Sequence, residues 1–193
     1  MRRMTLFLML LLAPICAAMA QDDPKFDVFG GYSFMSTDLL ETPEVVPGMR
    51  DGFQGWNVAV TCYASHNVGF TADFSGHYGS QNIPFFGKTT ARLYSFAFGP
   101  KLVHHADNFE MFVHGLFGFN NAQLKAPPEE EINNSRTISD NDFAMVLGGG
   151  LDYVMKKQFA FRVVQVDYMM GQLFGSIENH IRVSTGITYR LKK

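Results

Sequence analysis

From residue 180 to 191 the chain reads HIRVSTGITYRL and alternates with a period of two without a break. Ile181, Val183, Thr185, Ile187, Tyr189 and Leu191 fall on one face; His180, Arg182, Ser184, Gly186, Thr188 and Arg190 fall on the other. Only an extended strand separates two faces this way, because successive side chains leave a pleated backbone on opposite sides. The same alternation recurs over 26–36, 55–65, 68–79, 91–103, 109–120, 142–155 and 159–170, which makes eight segments in all. Each is about as long as the 9 to 11 tilted residues that carry a strand across a bilayer. Soluble strands are shorter, typically about 5 to 6 residues.

The connections alternate in length. Residues 37–54, 80–90, 121–141 and 171–179 are long, and they include Pro127, Pro128 and the acidic run Glu129-Glu130-Glu131. Those near His66-Asn67, at 104–108 and at Lys156-Lys157-Gln158 are tight turns. Long connections on one end and short ones on the other describe an up-and-down meander of the transmembrane kind. A soluble up-and-down barrel is the competing eight-stranded solution.

The faces separate the two. The bulky faces carry Trp56, Val58, Val60 and Cys62; Val68, Phe70 and Phe74; Tyr94, Phe96, Phe98 and Leu102; Phe143, Met145, Leu147, Leu151 and Tyr153. The opposite faces are mostly Gly, Ala, Ser and Thr with a few charges. A soluble exterior needs abundant Lys and Glu, whereas a narrow lumen of eight strands has room only for small groups. The bulky face is therefore expected to meet lipid. Trp56, Tyr63, Tyr78, Tyr94, Tyr153 and Tyr189 lie toward strand ends, where interfacial girdles belong. The expected architecture is all-β, an eight-stranded antiparallel up-and-down transmembrane β-barrel.

Composition agrees. Of 193 residues 14% are aromatic, with 19 Phe and 18 Gly, and the net charge of -2 speaks against a nucleic-acid partner. At the start, Arg2-Arg3, an apolar run over 6–15 and Ala18-Met19-Ala20 read as a signal peptide over residues 1–20. The barrel domain is then 21–193, exported to the outer membrane of a Gram-negative-type bacterium. Cys16 fits a lipidation site poorly because Ile15 precedes it. Cleavage leaves Cys62 alone, so no intrachain disulfide is expected. No further domain is expected after the barrel.

If the small faces look inward, the charges on them are enclosed. Asp73, Glu110, Asp152 and Asp167, with Lys101, Arg182, Arg190 and His114, are then expected to form a lumenal ion-pair network, since an unpaired buried charge is costly. An interior of this size is filled by side chains, so a plug is expected rather than a pore. Two strands resist the pattern. In 109–120, Phe112 and Leu116 must be enclosed if Glu110 and His114 face inward. In 159–170, Arg162 falls on the outward parity, which either a bulge or snorkelling to the short-turn interface would accommodate, and snorkelling is the reading adopted.

Nothing in the sequence assembles a catalytic constellation. Cys62 faces away from any His, His104-His105 on a turn point apart, and an acidic loop run is ordinarily solvated. His77 and Asp142 near the long-loop end are the one hint of a lumen-mouth enzyme. No enzyme activity, metal or cofactor is expected.

With the eight strands in place, the chain resembles the small outer-membrane β-barrel family typified by the transmembrane domain of outer membrane protein A. The resemblance is carried by FDVFGGYS at 26–33, Gly99-Pro100-Lys101, Phe112-Val113-His114, Gly148-Gly149-Gly150-Leu151-Asp152 and Gln165-Val166-Asp167-Tyr168. It implies periplasmic termini, long loops outside and a structural or surface-interaction role through loops one and three. The alternative is a narrow porin-like solute or ion channel. The family's closing signal for the barrel-assembly machinery is similar to Ser184, Gly186, Tyr189 and Leu191; the final aromatic of that signal is Leu191 here, and Lys192-Lys193 follow. The implied partners are outer-membrane lipid, that machinery and an extracellular ligand held by the loops. The wall-binding domain of the longer members is not expected here, so wall anchoring is not implied.

Overall fold

The computed structural model describes residues 25–37, 51–83, 87–125, 137–173 and 176–191. They form eight strands: β1 (Lys25–Thr37), β2 (Asp51–Tyr63), β3 (Val68–Ile83), β4 (Gly87–Ala106), β5 (Phe109–Lys125), β6 (Thr137–Lys156), β7 (Phe159–Leu173) and β8 (Ser176–Leu191). Each pairs antiparallel with its neighbour in sequence, and β1 pairs with β8 from Phe26↔Leu191 to Ser36↔Ile181, closing the barrel. Closure removes the last open edge, so no strand presents an unpaired side to the lipid. The segment over 1–20 and the acidic run at 129–131 lie outside the described residues.

The strands are longer than the sequence pattern implies, from 13 residues in β1 to 20 in β4 and β6. β4 runs on to Ala106 at the short-turn end, but most of the excess lies at the long-connection end. There β3 and β4 pair out to Ile83↔Gly87, β5 and β6 to Lys125↔Thr137, and β7 and β8 to Leu173↔Ser176. Much of 80–90, 121–141 and 171–179, read from sequence as loop, is therefore strand. Backbone ladders need no apolar lipid face, and beyond the lipid the outward row turns polar, as at Gln54, Arg92, Asn121 and Asn141. The lipid-side signal ends there while the pairing continues. At the other end the turns are short, and Asp107 enters the left-handed region (φ 49°) in the two-residue turn between β4 and β5. Asp tolerates that backbone better than most residues.

Large apolar side chains cover the outside. Val113, Phe143, Leu102 and Val166 are exposed, as are Phe74, Phe117 and Phe119. Aromatic rings pair toward both ends: Trp56 with Phe74 (5.1 Å) and Tyr78 with Tyr94 (6.0 Å) toward the outside, Phe109 with Tyr153 (5.2 Å) and Phe159 with Tyr189 (5.0 Å) toward the periplasm. Tyr63 is not part of a girdle. It shares the parity of Asn57 and Thr61, and its hydroxyl donates to Asp27 Oδ2 at 2.9 Å on the lumenal side.

Arg162 also departs from expectation. The β7–β8 register slips between Arg162 and Gln165, where Val163 and Val164 both lie exposed at 43% and 36%. Two outward residues in succession are a bulge, which resets the parity. Arg162 is therefore buried in the lumen and does not snorkel. Phe112 and Leu116 are enclosed, at 4% and 0% exposure.

Candidate functional site

The lumen is the place where polar chemistry collects, and it is layered. Toward the outside, Met35, Phe53, Leu93, Leu116, Val146 and Met169 pack with Ala91, Ala97 and Ala122 into one buried cluster. Leu116 stands outward of His114, Met169 of Asp167 and Phe53 of Asn57. A largely apolar layer, which also holds the buried His77, His180 and Asn120, therefore caps a charged one.

The charged layer is built across the barrel. Arg182 of β8, wholly buried, donates from Nε to Asp167 Oδ2 of β7 at 2.8 Å. Its Nη1 donates across the lumen to Asp73 Oδ1 and Ser75 Oγ of β3 at 2.8 and 2.9 Å. Asp73 in turn accepts from Asn57 Nδ2 of β2 at 2.8 Å, and Asp167 Oδ1 lies 2.9 Å from His114 Nε2 of β5. Gln165 links this group to a second one: its amide donates to Asp167 Oδ2 at 2.7 Å, and its Oε1 accepts from Arg162 Nη1 at 2.6 Å. Arg162 holds Asp152 of β6 through both carboxylate oxygens at 2.8 and 3.0 Å, the forked geometry that suits guanidinium to carboxylate.

Two aromatic rings complete the layer. The Arg162 guanidinium lies 4.1 Å from the Phe29 ring and 4.4 Å from that of Phe112, and the Lys101 ammonium lies 4.2 Å from Phe112. Lys101 makes no ion pair with a carboxylate among the described residues; the ring face receives its charge instead. Three carboxylates, Asp73, Asp152 and Asp167, thus meet three cations, Lys101, Arg162 and Arg182, in one enclosed layer. Glycine makes room for it. A Cβ at Gly148 would come within 2.0 Å of Asp167 Oδ1, and one at Gly150 within 2.7 Å of the Phe112 ring.

Glu110 and Arg190 stand apart from this layer. They pair with each other near the periplasmic end, where His105 Nε2 lies 3.5 Å from Glu110 Oε1 and stacks on His66 at 4.2 Å between ring centres. With Asp27, Tyr63 and Lys157 these groups line a cavity of about 270 Å³ that opens below the plug.

Of the eight charged groups expected in the lumen, all stand on inward parity. Asp73, His114, Asp152, Asp167 and Arg182 join the central chain of contacts, Lys101 reaches it through Phe112, and Glu110 and Arg190 form the separate pair. Arg162, Asn57, Gln165 and Ser75 join them as well. All but Arg162 lay on polar faces already legible in the sequence; Arg162 was hidden by the bulge. His77 is buried against Ser33 Oγ at 2.9 Å, and Ser33 accepts from Ser184 Oγ at 3.0 Å. No contact joins His77 to Asp142 among the described residues.

The four positions of the closing signal lie along the β1–β8 seam. Ser184 and Gly186 face inward opposite Ser33 and Gly31, while Tyr189 and Leu191 face outward. A Cβ at Gly186 would stand 2.3 Å from the Gly30 carbonyl, so this seam closes only around glycine.

No curated protein matches the chain. Solved barrels match its shape: Ail, the attachment invasion locus protein of Yersinia pestis, at 15% identity over 88% of this chain and 100% of that one (TM-score 0.62); neisserial surface protein A at 9% over 85% and 96% (0.62); and OprG of Pseudomonas aeruginosa at 13% over 91% and 99% (0.55). At such identities the likeness concerns the fold alone. The sequence model described as the outer membrane protein beta-barrel domain matches residues 5–189. Closed antiparallel topology, an apolar girdled exterior and a charged interior all agree with that match: the chain belongs to the outer membrane β-barrel family, and its place is the outer membrane.

Proposed function

We propose that this barrel is a closed scaffold that conducts no solute and acts at the cell surface through the connections at its outer end. The observation that carries the reading is Arg182. It crosses the lumen from β8 to hold Asp73 on β3 and Asp167 on β7 while exposing no surface of its own. A solute path would have to break those contacts and part the apolar layer above them, leaving charges unpaired in an enclosed interior. With the lumen occupied, the surface open to a partner is the outer end, where loops one and three are longest. Ail, a barrel of similar shape, has been solved with the heparin analogue sucrose octasulfate, an instance of such a scaffold holding a ligand. The seam residues Ser184, Gly186, Tyr189 and Leu191 serve, on this reading, as the signal that the barrel-assembly machinery takes up before β1 and β8 meet. No catalysis is assigned: His77 near the lumen mouth is hydrogen-bonded to Ser33.

Planar-bilayer recording tests the scaffold against the channel. The native barrel is expected to give no steady openings, and Arg182→Ala, which removes the crossbar, to give flickering ones. Steady openings of the native barrel whose size follows Lys101 or Arg182 substitution would establish a channel instead.

A further inference from the structure

Below the plug the barrel opens to the periplasm in a cavity of about 270 Å³, and one of the acids that line it is served unlike the other enclosed acids. The buried carboxylates among the described residues are Asp27, Asp73, Glu110, Asp152 and Asp167. Arg182 holds Asp73 and Asp167, Arg162 holds Asp152, and Arg190 holds Glu110. Asp27, only 7% exposed, has no ion pair among the described residues. The side-chain hydrogen bond it accepts comes from the Tyr63 hydroxyl, at 2.9 Å to Oδ2.

The cation nearest in register does not answer it. Arg190 stands opposite Asp27 across the β1–β8 seam, but its guanidinium reaches over the mouth to Glu110 of β5. Glu110 also has His105 Nε2 at 3.5 Å. Enclosed at this end, two acids therefore share one arginine. Lys157 lines the cavity as well, but it is exposed in the turn between β6 and β7, where water solvates its charge. The remaining walls are the stacked rings of His66 and His105 and the apolar side chains of Val154 and Leu191.

We propose that this cavity binds a small primary amine from the periplasm, its ammonium held by Asp27 and its alkyl stem laid against Val154 and Leu191. A buried carboxylate without a counter-charge is costly, and an ammonium brings both the charge and several donors in one compact group. Size limits the guest: the volume falls below the roughly 300 to 1,000 Å³ of pockets that take drug-sized ligands. A bare metal ion would leave the apolar wall unused, and no group of three His, Cys, Asp or Glu side chains among the described residues is arranged to hold one. The cavity is reached from the periplasm, so the guest need not pass the plug.

Histidine signals in nuclear magnetic resonance report on the cavity, since His66 and His105 wall it and His104 does not. The full barrel, carrying isotope-labelled histidine in dodecylphosphocholine micelles, would be titrated with n-butylamine at about pH 8, where free imidazole is neutral and the amine is charged. The His66 and His105 signals are expected to shift saturably while that of His104 stays, and n-butanol and butyrate should give no saturable shift. Asp27→Asn, which keeps an acceptor for Tyr63, should weaken binding by roughly tenfold or more, the cost of losing a hydrogen bond to a charged group. Lys157→Gln should bind the amine at least as well as the native barrel. Val154→Phe, which keeps Asp27 and fills the apolar wall, should also weaken binding, and it decides the matter if Asp27→Asn gives no folded, heat-modifiable band. No saturable shift in the native barrel, equal binding of butanol, or binding unchanged by Asp27→Asn or Val154→Phe would overturn the proposal. So would tighter binding of butyrate than of the amine, or displacement of the amine by an equal concentration of sodium, since the cavity would then take an anion or any cation.

Discussion

Arg182 carries its charge wholly buried in the lumen, and its value lies in what its removal leaves behind. Asp73 and Asp167 would remain buried facing each other's charge, a situation that costs about 3–5 kcal/mol when one partner of a buried pair is lost. Arg182→Met is therefore expected to lower the unfolding free energy of the bilayer-embedded barrel by about that much, measured by urea titration. Adding Asp73→Asn and Asp167→Asn should recover most of the loss, because the cost comes from unpaired charge and not from missing volume. A loss under about 1 kcal/mol in the single variant would mean that the two carboxylates are not held by Arg182. At this scale the sequence was informative about type and face but not about partner. Parity alone put Asp73, Asp167, His114 and Arg182 inward. Their pairing needed the strand tilt, which brings β8 and β3 together across the lumen though 109 residues separate Arg182 from Asp73.

Among the elements, β7 shows what periodicity cannot carry. A two-residue period holds only while the register holds, and the extra residue at Val163-Val164 moves every later side chain to the other face. Read without the bulge, Arg162 points to lipid; read with it, Arg162 joins Asp152 and Gln165. The strand ends were missed for a different reason: outside the lipid the apolar outward row ends although the ladder continues. Deletion separates a bulge from regular strand. Removing Val164 leaves Arg162 and Gln165 both inward with one outward residue between them, so a folded, heat-modifiable band is expected. Removing Val58 from the regular β2 turns one part of that strand inside out, setting apolar side chains in the lumen and polar ones in lipid, and no folded band is expected. If the Val164 deletion fails as completely as the Val58 deletion, the bulge is not an insertion in an otherwise regular strand.

For the molecule as a whole, a wall of eight strands leaves an interior just wide enough for side chains, and this chain fills it in two layers, charged below and apolar above. The number of strands, their order and the lipid-facing side were legible because they rest on many residues that repeat one signal. The filling of the lumen was legible only as an expectation, since it depends on contacts between strands far apart in sequence. One experiment reads both the sidedness and the filling. In a Cys62→Ser background, a nitroxide would be placed in turn at each residue from 110 to 119 of β5 in bilayers, and its collisions with oxygen and with a water-soluble nickel chelate recorded. Oxygen collisions should peak at the odd positions, Met111, Val113, Gly115, Phe117 and Phe119, and the even positions from Phe112 to Gly118 should be shielded from both reagents. Oxygen maxima at the even positions would contradict the sidedness, and nickel collisions at His114 or Leu116 would contradict a filled lumen.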